Sequence, residues 1–330
     1  MKIFIQCIKA IFLWFFLIES FSAIAQKEPL EKKYHGNDSQ DSVKGAGYYF
    51  DAGTAKAQAG DCEAALDLYD KCISIDPETY DAYFNRAYCK MQLQDYEAAI
   101  ADFTTCMQLH RGTYSTALYL RGDCFKKLKQ YDLALADFSK ALEVSSNPDI
   151  LADRGYIYMQ KGDFGKAASD YTHAIEKRPD STELYGQRAI CQYRIRHLKE
   201  AVGDARIFLS KQPSSPEVTE VELRAQIEMN DYTNALQTAK NLVAIEKSPK
   251  SFYYKGLIEF SQGKYPDGIV DFTSALSLDS TYKDAYYSRA LCYSALKNDA
   301  SACEDLHKAK NLGFANLEGK IEACCKDKKQ

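Results

Sequence analysis

The sequence predicts an all-α chain of about eight helix hairpins stacked in series. Three observations carry that expectation. Small residues followed four positions later by an aromatic recur as Ala65 and Tyr69, Ala99 and Phe103, Ala134 and Phe138, Ala167 and Tyr171. Alignment on them gives units starting at 46, 80, 115, 148, 182, 216, 249 and 283, a spacing of 33 to 35 residues throughout. Each unit holds two apolar stretches of helical spacing separated by a turn such as Gly60-Asp61 or Gly162-Asp163.

Taken in order, residues 1–25 are an address. Lys2 and Lys9 precede a nine-residue apolar run, Ala10 to Ile18, and Ala23-Ile24-Ala25 supplies the small-x-small pattern that signal peptidase accepts. A membrane span needs about 20 apolar residues, so this run is too short to be an anchor. The expectation is a signal peptide cleaved after Ala25, a periplasmic or secreted mature chain and no stable membrane insertion after processing. Cleavage would remove Trp14, the sole tryptophan. Residues 26–45 are polar with one leucine and read as a flexible leader.

The eight units then run from 46 to 314. Position 20 is small in every one: Ala65, Ala99, Ala134, Ala167, Ala201, Ala235, Gly268 and Ala302. Position 8 is Gly or Ala in all but one, from Gly53 to Ala290, and position 4 is usually large. Two antiparallel helices approach closely only where side chains are small, and a large residue from one fills the gap beside them. Pro77, Pro179 and Pro213 end second helices. The unit at 216–248 departs, with Leu223 at position 8 and Ala239 at position 24, and Phe208 and Leu242 put bulk at position 27. Regular stacking is less favoured between about 205 and 248, where altered curvature or a hinge is expected. The apolar stretch 315–325 should fold back as a capping helix, followed by a charged tail to 330.

On Gly or Ala at 8, Ala at 20, an aromatic at 24 and Pro at 32, the sequence resembles the tetratricopeptide repeat family over residues 46–314. The unit at 148–181 matches best, with Gly155, Ala167, Tyr171 and Pro179. The resemblance implies a right-handed superhelical solenoid whose concave face is lined by the first helix of each pair.

Position 7 carries Arg86, Arg121, Arg154, Arg188, Lys255 and Arg289, and position 23 carries Asp102, Asp137, Asp170, Asp204, Asp271 and Asp305. Both occur in the same six units and are missing from the other two. Matched occurrence points to an ion pair between the helices of one unit rather than to an anion-binding stripe.

Other chemistry finds little support. A net charge of −4 gives no nucleic-acid footprint. The five histidines, His35, His110, His173, His197 and His307, are dispersed, and no C-x-x-C, phosphate loop, G-x-S-x-G or H-E-x-x-H occurs. No enzyme activity, metal or cofactor is expected. The reading is a scaffold that binds a partner protein or peptide segment in its groove. The alternative is a structural subunit of an envelope or secretion assembly that uses its convex face and ends, and a periplasmic enzyme or carbohydrate binder ranks last.

Positions 5, 9 and 12 of each first helix form one stripe. Its candidate groove residues are Phe84, Tyr88, Met91, Tyr119, Tyr156, Met159, Tyr193, Tyr253, Phe260 and Tyr287. Only Lys126, Lys127, Arg194 and Arg224 lie near it as cations, so an apolar or mixed segment is expected rather than an acidic tail. Residues equidistant from a hairpin turn face each other, which makes Cys303–Cys324, about Gly313-Phe314, a candidate disulfide, with Cys325 as the other possible partner. Cys72–Cys89 and Cys106–Cys124 have the same relation, against the possibility that cysteine merely fills a small site there, as Ala174 and Ala275 do.

Overall fold

A computed structural model describes residues 44–325 apart from 111 and 113, so the expected signal peptide, most of the expected leader and the last five residues lie outside the described part. The described residues contain seventeen helices and no strand: an all-α helical-repeat solenoid. Two compact units are distinguished, 1–82 and 83–330. The first holds α1 (Ala46–Gln58), α2 (Cys62–Ile75) and the start of α3 (Tyr80–Gln92). The second holds the rest of α3, then α4 (Tyr96–Leu109), α5 (Ser115–Lys127), α6 (Tyr131–Leu142), α7 (Pro148–Gln160) and α8 (Phe164–Lys177). It continues through α9 (Thr182–Arg194), α10 (Leu198–Leu209), α11 (Pro216–Glu228), α12 (Tyr232–Ile245), α13 (Pro249–Ser261) and α14 (Tyr265–Leu278). It ends with α15 (Lys283–Ala295), α16 (Asp299–Asn311) and the short α17 (Glu318–Cys324).

Each hairpin closes on a left-handed residue. Gly60, Gly162 and Gly263 take φ near +80°, and Gln94, Lys129, Arg196, Asn230 and Lys297 take φ of 58–68° at the same place in their units. Glycine enters this region without steric cost, whereas the longer side chains tolerate it only because the helix pair fixes the turn.

Inside a hairpin the aromatic at position 24 lies on the small residue at position 8. Tyr69, Phe103, Phe138, Tyr171 and Phe272 are at most 2% exposed. A Cβ added at Gly122 would sit 2.5 Å from the Phe138 ring, and one at Gly256 would sit 2.8 Å from Phe272, so these glycines are required by close approach. In the atypical unit the sizes are exchanged. Leu223 is fully buried against Ala239, and Leu242 and Ile258 complete the cluster. The bulk of Phe208 is taken up by Gly186, where a Cβ would lie 2.7 Å from the ring. Leu223 and Phe208 therefore each have a small residue opposite them.

All six ion pairs form. Arg121 donates from Nε and Nη2 to Asp137 at 2.8 and 2.7 Å, and Arg154 does the same to Asp170. The remaining Nη1 reaches back to a hydroxyl on the preceding unit: Arg121 to Thr104 at 2.9 Å, Arg188 to Thr172 at 3.1 Å and Arg289 to Thr273 at 2.9 Å. One guanidinium thus ties both helices of its own unit to the unit before. In the atypical unit the polarity reverses: Glu222 takes the arginine's place, and Arg206 of the preceding unit donates to it at 2.8 Å.

Candidate functional site

Within the second unit the first helices of successive hairpins lie side by side, α5 on α7, α9 on α11 and α13 on α15. Hydrogen bonds across this layer build the candidate surface. On α5, Tyr119, Asp123 and Lys126 stand at i, i+4 and i+7, and on α7 so do Asp149, Asp153 and Tyr156, one face of each helix. Tyr119 Oη donates to Asp153 at 3.1 Å, and Lys126 Nζ donates to Asp153 at 2.6 Å while pairing with Asp123 at 2.6 Å. Burial pushes the Tyr119 phenol far above its ordinary pKa, and the carboxylates of Asp153, Asp123 and Asp149 push it the same way. Burial also raises the Asp153 carboxyl, against the pull of Lys126. Burial works against the Lys126 charge, but Asp153 and Asp123 outweigh it and raise its pKa. Lys126 is divided between Asp153 and Asp123, while Arg178 at the end of α8 grips Asp149 at 2.8 and 3.1 Å, so three carboxylates face two cations and the stretch keeps one net negative charge.

Farther along the layer the sign changes. Tyr193 Oη donates to Glu228 at 2.6 Å, Arg196 also pairs with Glu228, and Arg224 lies 5.1 Å from the Tyr193 ring centroid. Tyr254 Oη donates to Glu220 at 3.4 Å, and Lys250 pairs with Glu220 at 2.6 Å. The carboxylates sit lower than the cations: Glu220 and Glu228 are 22% and 26% exposed, whereas Arg224, Lys250 and Arg196 are 45%, 53% and 69% exposed. Arg224, Lys250 and Arg196 thus reach outward past their partner carboxylates, with the exposed Glu217 on the same face of α11.

The ten stripe residues fare differently. Tyr156 is exposed at 41%, and Tyr88 is half-buried. Phe84 stacks on Tyr114 and packs with Met91 against the Phe103 cluster. Tyr119 leans on Phe138, Met159 packs beside Tyr171, and Tyr253 and Phe260 border the Phe272 cluster. Tyr193 is buried at 8% and belongs to the core. Tyr287 is covered by the C-terminal cap, stacked on Phe314 at 4.4 Å and accepting a hydrogen bond from Lys320 at 2.7 Å. The stripe therefore offers Tyr156 and part of Tyr88 rather than ten open side chains. Asp123, Asp153, Glu220 and Glu228 were absent from the sequence-derived set, although Asp123 and Glu220 occupy stripe positions 9 and 5.

Profiles described as tetratricopeptide repeat match residues 50–105, 115–148 and 148–181. The chain is a tetratricopeptide repeat protein. Among solved structures it is similar to the C-terminal part of a TPR repeat-containing protein from Cytophaga hutchinsonii, at 17% identity and a TM-score of 0.58, over 72% of this chain and 98% of that one. It is also similar to a tetratricopeptide repeat protein from Parabacteroides merdae, at 17% identity and a TM-score of 0.49, over 75% and 98% of the two chains. An uncharacterized protein of Methanocaldococcus jannaschii is 38% identical over 47 residues, 14% of this chain and 55% of that protein, so the chain spans about half of that relative's length. The tetratricopeptide array is a protein-interaction scaffold in general role, and such arrays are typically non-catalytic. Among the described residues no helix is long and apolar enough to cross a membrane.

The cysteines of this TPR protein divide by depth. Cys72, Cys89, Cys106 and Cys124 carry thiols, not the two disulfides the spacing suggested, and each is fully buried as a small core residue. Burial pushes the Cys124 and Cys191 thiols up to about 12 and Cys292 up to about 11, which leaves them protonated and unreactive. Among the described residues one disulfide is present, and it joins Cys303 to Cys325 with Cα atoms 5.6 Å apart. Cys324 is not the partner. One residue earlier on α17, it turns toward α15, where its Sγ lies 3.5 Å from Ser294 Oγ.

Proposed function

We propose that the protein captures an extended segment of a partner protein along the first-helix layer between α3 and α13. The observation that carries this reading is the exposed Tyr156 beside the Asp123–Asp153 pair, two carboxylates on the single Lys126 ammonium, with the outward-facing cations Arg224 and Lys250 farther along the same layer. The segment that fits has an aromatic or apolar anchor over Tyr88 and Tyr156, basic residues near α5 and α7, and acidic residues near α11. This is a mixed segment. Exposed tyrosine on a rigid surface loses little entropy on binding, and complementary charges fix the register.

Photo-crosslinking tests the face. A benzophenone side chain at position 156 should trap the partner, whereas one at the exposed Glu176 on α8 should not. The reverse pattern would place the contact on the second-helix face. The double variant Tyr88→Ala, Tyr156→Ala is expected to keep its helical circular dichroism and lose capture by about tenfold or more, as for a central aromatic anchor.

The proposed setting is periplasmic or secreted, supported by the pattern of residues 1–25. Intact mass of native material should begin at Gln26. A mass that includes residues 1–25 would overturn the assignment.

A further inference from the structure

We propose that the C-terminal clamp has a second state, in which Cys303, His307 and Cys325 hold a thiophilic metal ion of the Zn(II) class in place of the disulfide. Cys303 and His307 stand at i and i+4 on α16, so they project from one face, and Cys325 follows the last turn of α17. The three ligand atoms lie within 4.8 Å of one another. Two thiolates and an imidazole are a donor set suited to zinc, with a fourth position left for water. The distances support it. With Zn–S of about 2.3 Å and Zn–N of about 2.0 Å, a tetrahedral ion places sulfur and nitrogen about 3.5 Å apart and the two sulfurs about 3.8 Å apart. Cys325 Sγ already lies 3.9 Å from His307 Nε2. Only the two sulfurs need to separate, and α17 is a two-turn helix able to absorb that shift.

The interconversion is balanced. A dithiol reductant delivers two electrons and two protons to the Cys303–Cys325 bond, giving two thiols and the oxidised reductant as its own disulfide. Metal capture then releases the two thiol protons. The incoming ion has a route, because a cleft of about 370 Å³ opens beside the clamp between Asp299 and Cys324. His307 is itself exposed to solvent. Either state fastens α17 over the end of the array, where it shields Ala290 and Leu306 through Leu317. Exposed ends are what repeat arrays must cover.

The test uses the full-length mature protein, reduced anaerobically with a dithiol, freed of reductant and titrated with Zn(II) against a chromogenic chelator. Reduced wild type and Cys324→Ser are expected to bind one Zn(II), and the oxidised protein none at this site. His307→Ala should lose more affinity than the roughly 10–100-fold cost of losing an outer-shell partner, because a direct ligand is removed. Bound zinc should also protect Cys303 and Cys325, but not Cys324, from alkylation. Absence of zinc binding in the reduced protein, equal binding by His307→Ala, or loss of binding in Cys324→Ser would each overturn the proposal. All variants lie at one end of the array, and unchanged helical circular dichroism verifies that the remaining repeats are folded.

Discussion

Replacing Arg154 by leucine is expected to destabilise the array by about 3–5 kcal/mol, the usual cost of removing one partner of a buried pair. Asp170 is 4% exposed and receives two charge-assisted hydrogen bonds from Arg154, at 2.8 and 2.7 Å. Leucine would leave that carboxylate in the hairpin with neither water nor a cation. It would also release Ser139, which Nη1 of Arg154 holds at 3.2 Å across the unit boundary. The double variant Arg154→Leu, Asp170→Leu should recover most of the loss, because removing both charges also removes the desolvation cost. Urea unfolding followed by circular dichroism reads both. In a repeat array the damage should be local, so the single variant is expected to show a separate early transition for the fourth unit, with the remaining units unfolding near the wild-type midpoint. A single variant as stable as the wild type would mean that the pairs contribute nothing to the fold.

These pairs were legible in the sequence because two positions varied together: six units have both Arg or Lys at 7 and Asp at 23, and two have neither. The packing of aromatic on glycine was equally legible, since the small and large positions repeat at fixed spacing. What the sequence did not disclose was anything that depends on a neighbour one repeat away. The stripe at positions 5, 9 and 12 is a property of one helix, but Tyr119 is held by Asp153 and Tyr193 by Glu228, 34 and 35 residues later. Those carboxylates occupy positions 6 and 13, off the stripe, so helical periodicity gave no sign of them. Reading positions singly also made Leu223 and Ala239 look disruptive, when each compensates the other. For the disulfide, equidistance from the turn leaves an uncertainty of one residue. Successive helical residues point about 100° apart, so that one residue decides whether Cys324 or Cys325 meets α16.

Stability is expected to fall as pH rises from about 4.5 to 7, and the group responsible is Glu259 on α13. It is 5% exposed, and its carboxyl is pushed up to about 7 by burial first and by the adjacent Asp271 second, with Lys255 pulling the other way. Lysine stands here where five other units have arginine. A guanidinium grips one carboxylate with two nitrogens, whereas the single Lys255 ammonium is divided between Glu259, at 2.9 Å, and Asp271. The third neighbour, the Cys292 thiol of α15, is itself pushed up to about 11 by burial and by the Glu259 charge, and so offers no positive partner. The sign follows from proton counting. Between the ordinary glutamate value and the folded value the native state holds more protons than the unfolded state, so each step up in pH favours unfolding, and the effect levels off above about 7. The accumulated loss is on the order of 3 kcal/mol, because each tenfold weakening of the acid on folding is worth about 1.4 kcal/mol. Glu259→Gln keeps the shape, retains an acceptor for Lys255 and removes the titration. It should therefore be more stable than wild type at pH 8, of nearly equal stability at pH 4.5, and without the slope between. Thermal melts of the two proteins across that range decide the matter: parallel profiles would show that Glu259 ionises as freely in the folded chain as in the unfolded one.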